Sequence, residues 1–137
     1  MSVSKEEIVN DFNTLLLSLA SNLAAVCPRS VIGANIGDVE KTIKNRANFY
    51  KFIDMFCIKV LPYRPQIDAG DETFFLKKDY EGDIKDVSEV SLNNIITLKS
   101  VWEELKHDNK NIVFMNMQYL CELASQYVRL VRAQLNL

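Results

Sequence analysis

The chain is poor in the residues that punctuate turns. Four glycines and three prolines in 137 residues are too few for the tight connections of an all-β sandwich or barrel. There is one histidine, His107, so Glu104-Leu105-Lys106-His107 has no second Glu-x-x-His step with which to build a carboxylate-bridged di-metal site. Cysteine is also scarce. Cys27, Cys57 and Cys121 are odd in number, far apart and set in apolar surroundings, which reads as reduced thiols packed as small hydrophobes in an intracellular, cytoplasmic setting. No run reaches the roughly 18 apolar residues of a membrane span; the longest candidate, 12–26, is broken by Asn13, Ser18, Ser21 and Asn22. The start, Met1-Ser2-Val3-Ser4-Lys5-Glu6-Glu7, carries acids and no apolar stretch behind a basic head, unlike a signal peptide. Charge of one sign is lacking too. A formal net charge of −2 gives no general attraction to nucleic acid or anionic lipid.

What is present is helical periodicity. Ser4 followed by Glu7 is a capping box, and Ile8, Phe12, Leu15, Leu16, Leu19, Leu23 and Val26 then recur on one face, predicting a helix over about 5–26 that Cys27-Pro28 ends. Asn35 reads as the N-cap of a second helix over about 36–61, with Asp38 and Glu40 favourably placed in its first turn. That helix contains the most strongly patterned stretch of the chain: Phe49, Phe52, Ile53, Phe56, Cys57 and Val60, stopped by Pro62. Its apolar surface on more than one side suggests the central post of a bundle. A third helix is expected over about 89–107 (Leu92, Ile95, Ile96, Leu98, Val101, Trp102, Leu105). The turn His107-Asp108-Asn109-Lys110 then leads into a fourth over about 110–134, with a stripe through Ile112, Met115, Tyr119, Leu120, Leu123, Ala124, Tyr127, Val128, Leu130 and Val131. The fold expected is all-α: a four-helix-bundle-like single domain spanning 1–137, with one long acidic crossover, 62–88, between helices two and three.

The crossover is where composition shifts. From Gln66 to Glu89 eight acids face three lysines, a balance of −5, and the remainder of the chain carries +3. Asp79, Glu81 and Asp83 are the densest acidic group. They do not form a calcium loop, because counting from Asp79 the sixth and twelfth positions are Ile84 and Val90 instead of Gly and Glu. Gly33 and Gly37 are followed by no P-loop lysine. No nucleophile, paired carboxylate or ligand cluster assembles into chemistry, so no catalytic, cofactor-binding or metal residue is expected and the reading is non-enzymatic. Long crossovers in compact domains lean functional, which makes Asp79, Glu81 and Asp83 candidate partner-binding residues. Phe114 and Met117 fall off the stripe of the fourth helix, and Leu135 and Leu137 keep the C-terminus apolar to its end; these four are candidate contact residues as well. Lys41, Lys44, Arg46, Lys51 and Lys59 lie on the polar side of the second helix. They define the alternative, a nucleic-acid-associated regulator, although Glu40 and Asp54 interrupt that face.

Two stretches carry a resemblance. One is Lys51-Phe52-Ile53-Asp54 through Lys59-Val60-Leu61-Pro62-Tyr63, continuing over Gly70-Asp71-Glu72-Thr73-Phe74-Phe75-Leu76-Lys77-Lys78-Asp79-Tyr80. The other is Trp102-Glu103-Glu104-Leu105 with Met117-Gln118-Tyr119-Leu120-Cys121-Glu122-Leu123-Ala124. Together these resemble small all-helical proteins of large nucleocytoplasmic DNA viruses. The resemblance implies a cytoplasmic replication setting, reduced cysteines and a minor structural or assembly component of the virion, with other virion proteins or a second copy as partners. It transfers no site residue.

Overall fold

A computed structural model of the chain describes residues 4–29, 31–71, 102 and 105–135. Every regular element among them is helical. Helix α1 spans Lys5–Val26. Ser4 Oγ accepts the Glu7 N–H at 3.2 Å, which satisfies one of the donors orphaned at a helix start, and Glu6 and Glu7 complement the dipole. The Cys27 N–H donates to the Leu23 carbonyl at 2.8 Å, and Pro28 has no N–H with which to continue. Helix α2, Val31–Ala34, then folds back tightly: a side chain at Gly33 would meet the Pro28 carbonyl oxygen at 2.6 Å.

The single helix expected over 36–61 is interrupted. Helix α3 covers Ile36–Lys44, a 3-10 turn covers Arg46–Asn48, and helix α4 covers Lys51–Lys59. Two asparagines cause the break. Asn45 adopts extended backbone (φ −68, ψ 121) and its side chain accepts the Ala47 N–H at 3.0 Å, capping the next turn instead of extending the last one. Asn48 Nδ2 donates back to the Thr42 carbonyl at 3.0 Å, satisfying an acceptor left open at the end of α3. Asn35 sits at the N-cap of α3, but its side chain makes no cap hydrogen bond.

The chain does not become a loop at Pro62. A 3-10 turn, Leu61–Tyr63, and helix α5, Arg64–Asp68, carry it on, with Pro62 and Pro65 at early helical positions where no N–H is needed. Ile67 is fully buried, so the opening of the expected crossover is packed scaffold. Gly70 ends this run with φ +68, a left-handed conformation that glycine takes without Cβ strain. The rest of the crossover, and most of the third helix expected over 89–107, lie outside the described residues.

Helix α6 runs from His107 to Leu135, 29 residues. The turn expected at His107–Lys110 is its first turn, with Asp108 at the favourable N-terminal end of the dipole. Among the described residues the most extensive packing is between α1 and α6, and α4 packs against both. Contacts descend along α6 as the chain advances. Asp54 Oδ1 accepts the Tyr127 hydroxyl at 2.7 Å, the Cys57 thiol approaches the Ala124 carbonyl at 3.8 Å, and the Ile67 carbonyl accepts from Gln118 at 3.4 Å. The α4–α5 segment therefore runs antiparallel to α6.

The buried apolar side chains form one contiguous cluster drawn from α1, α3, α4, α5, α6 and Trp102. Phe12 and Phe56, both fully buried, meet edge to face with centroids 5.2 Å apart. Each such burial is worth about 2–3 kcal/mol, with about 1 kcal/mol more for the pairing. Trp102 closes the other end, edge to face on Phe114 at 5.6 Å, with Lys110 Nζ 5.4 Å above its ring.

Candidate functional site

Two of the four candidate contact residues near the C-terminus belong to the core. Met117 is 1% exposed and Phe114 9%, the latter against Trp102. Conversely, three residues of the expected core stripe face outward: Ile112 is 44% exposed, Met115 67% and Tyr119 62%. The first half of the helix is rotated from the expected setting, whereas Leu120, Leu123, Ala124 and Tyr127 of the expected stripe are buried. Val113, Met117, Leu120, Cys121 and Ala124 point inward, and Met115 and Tyr119, each two positions from Met117, point out, as the turn of about 200° between them demands. Leu135 ends α6; its side chain, Leu137, and Asp79, Glu81 and Asp83 of the crossover lie outside the described residues.

The exposed residues are ordered. Asp108, Ile112, Met115, Tyr119 and Glu122 follow steps of four and three, the spacing of a coiled-coil seam. The apolar part, Ile112 to Tyr119, extends about 10 Å along the helix. It lies within Asn111–Cys121, which contains no charged residue. Interface cores are depleted in charge and enriched in Tyr and Met, and this uncharged run is the sequence signal that marks the face. At about 200 Å² per large side chain, the three exposures leave about 350 Å² of apolar surface, the size at which patches on monomers are commonly functional.

A cleft of about 730 Å³ borders the stripe where α6 leaves the end of α5, lined by Asp68, Ala69, Gly70, His107, Lys110, Asn111, Phe114, Met115 and Gln118. Met115 belongs to both features. His107 contributes polarity to the cleft, its Nε2 lying 3.3 Å from Asn111 Nδ2, at the start of α6 and not at the end of a preceding helix. Glu104 lies outside the described residues.

Beyond Tyr119 the outer face turns polar and is satisfied from within. Arg64 donates to Ser125 Oγ at 2.7 Å and to Glu122 Oε2 at 2.9 Å, and pairs with Asp68 at 3.5 Å. Gln126 and Arg129 also reach Glu122. The hydrogen bond from Arg64 is the main cause that holds the Glu122 carboxyl below the usual range, followed by the one from Gln126. On the opposite side, burial first, then the hydrogen bond to Asp54, pushes the Tyr127 hydroxyl up. These groups fix α4 and α5 on α6.

The five cations of the alternative reading do not share one helix. The break at Asn45 separates Lys41 and Lys44 of α3 from Lys51 and Lys59 of α4. Lys44 is ion-paired with Glu40 at 2.7 Å. Arg46 and Lys51 line a second cleft, of about 680 Å³, together with Glu6, Glu7 and Asp54, so acids neutralise that surface.

None of the three cysteines is in a disulfide. Burial raises the thiols of Cys57 to about 11 and Cys121 to about 12, away from the thiolate that nucleophilic or metal chemistry requires. Among the described residues no group of three His, Cys, Asp or Glu side chains gathers as for a metal ion, and no helix is long and apolar enough to cross a membrane. No protein family, curated protein or solved structure matches the chain.

Proposed function

We propose that this chain is a non-enzymatic protein–protein interaction module that works through the outer face of α6. One observation carries the reading: a helix already packed on two sides, by α1 and by α4–α5, offers a third, heptad-spaced apolar face to solvent. A solvated helix face ordinarily carries charge; exposing Ile112, Met115 and Tyr119 together costs solubility unless a partner covers them. The scaffold behind this face is read as four-helix-bundle-like, with segment 89–107 as the remaining member. The biological setting, a minor structural or assembly component of a large DNA virus particle, rests on the resemblance alone.

The test is native fractionation from the source cells, with mass spectrometry of what comigrates. The native chain is expected in a stable heteromeric complex or a large particle, and the double variant Met115→Asp, Tyr119→Asp is expected to leave it while retaining its thermal unfolding temperature. A variant that still comigrates with the same proteins would sink the reading.

A further inference from the structure

Resting on the interaction reading above, we propose that the occupant of the α6 outer face is an amphipathic helix of a different protein. That helix carries apolar side chains at heptad spacing, flanked by lysine or arginine. Three observations converge on this chemistry. The first is shape. Ile112, Met115 and Tyr119 form a ridge one heptad long, and the cleft beside Met115 gives one anchoring side chain a place to enter. A straight ridge with heptad spacing matches a helix laid alongside it.

The second is charge. The apolar ridge is bounded on the same face by an acid at each end, Asp108 one turn before Ile112 and Glu122 one turn after Tyr119. A second copy cannot meet this pattern well. An antiparallel two-fold about Met115 sets Asp108 opposite Glu122 of the other copy, and a parallel one sets each acid opposite itself. Neither arrangement sets a cation of the ridge opposite Asp108. A helix with a cation at each end meets them favourably, above all at exposed Asp108, since Glu122 already holds Arg64.

The third is area. About 350 Å² of apolar surface is well below the ~800 Å² per partner of a stable dimer between folded copies, whereas a single short helix covers it fully. Nucleic acid fits no better, because no cation lies on the ridge between Asp108 and Glu122.

The experiment uses the full 137-residue chain and two synthetic helical peptides. Both carry leucine at three successive heptad positions; one has lysine, the other glutamate, one step beyond each end of that core. By fluorescence anisotropy the lysine peptide is expected to bind about fivefold tighter than the glutamate peptide, the effect of exchanging rim charges. Asp108→Lys should abolish or invert that preference. Met115→Asp should weaken the lysine peptide at least tenfold without lowering the unfolding temperature.

Equal binding of the two peptides, or a preference unmoved by Asp108→Lys, overturns the proposal. A concentration-dependent dimer in light scattering that Met115→Asp dissolves makes a second copy the occupant and overturns it as well. Methyl NOEs from Met115 to residues 89–101 in the free protein assign the face to the chain itself, with the same result. Failure of both peptides to bind, while Met115→Asp still releases the cellular complex, overturns the partner class and leaves the interaction reading standing. Failure of both together with an unaffected complex removes the two at once.

Discussion

Two methionines two residues apart on α6 give the sharpest test of its orientation. Met117 is 1% exposed and Met115 67%, so truncating each to alanine samples opposite sides of one helix turn with the same chemistry. At a buried site Met→Ala costs about 2–5 kcal/mol, the lost transfer energy plus the cavity left behind. Met117 sits among Leu120, Cys121 and Val113, all at most 2% exposed. Met117 belongs to the contiguous core cluster, so a cavity is left behind and about 3 kcal/mol is expected. Met115→Ala removes almost no buried surface and trades one good helix former for a better one, so it should stay within about 0.5 kcal/mol. In urea, with a slope of about 2 kcal/mol/M for a chain of this size, Met117→Ala should lower the midpoint by about 1.5 M and Met115→Ala by less than about 0.3 M. The slopes must agree with the parent protein for the comparison to hold. A Met115→Ala cost equal to or larger than that of Met117→Ala would refute the orientation. It would restore the stripe Ile112–Met115–Tyr119 to the core and remove the outer face from consideration.

Other expectations follow from particular contacts. Arg64→Ala should cost about 1 kcal/mol at neutral pH, the scale of partly exposed ion pairs. Because Arg64 depresses the Glu122 carboxyl, that contribution is present above the unfolded glutamate value of about 4.3 and fades as pH falls through the lower folded value. The gap between parent and variant in urea melts should therefore close toward pH 3; a gap that widens in acid contradicts the pairing. Cys57, raised to about 11, should be alkylated by iodoacetamide at pH 8 about a hundredfold more slowly than a free thiol of ordinary pKa near 8.5, and a rate equal to that of free cysteine would show the site to be open. The same raised thiols imply stability that is full below pH 8.5 and declines as pH rises toward 11. Gly33→Ala should destabilise by about 1–3 kcal/mol, as overpacking does, since the new Cβ meets the Pro28 carbonyl rather than a side chain that can swing away; an unchanged melt would show that the α1–α2 turn relaxes freely.

Helix α1 was legible because its signals are local: a cap at Ser4, acids in the first turn, an apolar face in phase, and Pro28 after the end. The break at Asn45 was not, although its agents are local too. Val39 and Ile43 before it and Phe52, Ile53 and Phe56 after it are all buried, so hydrophobic periodicity carries through the interruption and hides it. Two asparagines within a polar face look like solvated surface until their side chains are seen on Ala47 and Thr42. The start of α6 was misread for a related reason. His107-Asp108-Asn109 has the composition of a turn, yet an acid in that position also suits the first turn of a helix. Orientation of the first half of α6 was the costliest miss, since Leu120, Leu123, Ala124 and Tyr127 of the expected stripe are buried. The sequence carries two apolar stripes on nearly opposite faces, and periodicity cannot rank them. The choice is made by α1 and α4–α5, whose positions a local pattern does not contain. The acidic group Asp79, Glu81 and Asp83 lies outside the described residues, and the residues that now mark the candidate face were readable only as the uncharged run Asn111–Cys121.

The interruption of the second helix also determines where a partner can sit. Asn13 Nδ2 donates to the Phe49 carbonyl at 3.0 Å, tying the junction between α3 and α4 to the middle of α1. From that anchor α4 and α5 proceed antiparallel to α6 and commit their polar groups in sequence: Asp54 to Tyr127, Cys57 to Ala124, Arg64 to Ser125 and Glu122. All of these partners fall in the C-terminal half of α6, from Glu122 onward. The polar half of the outer face is thus spent on holding the fold together. The half from Ile112 to Tyr119 keeps exposed apolar groups, the ones that the proposed contact would cover. If so, variants at Ile112, Met115 and Tyr119 should separate binding from stability, whereas variants at Arg64, Glu122 and Tyr127 should lose stability first and binding only in proportion to the folded fraction.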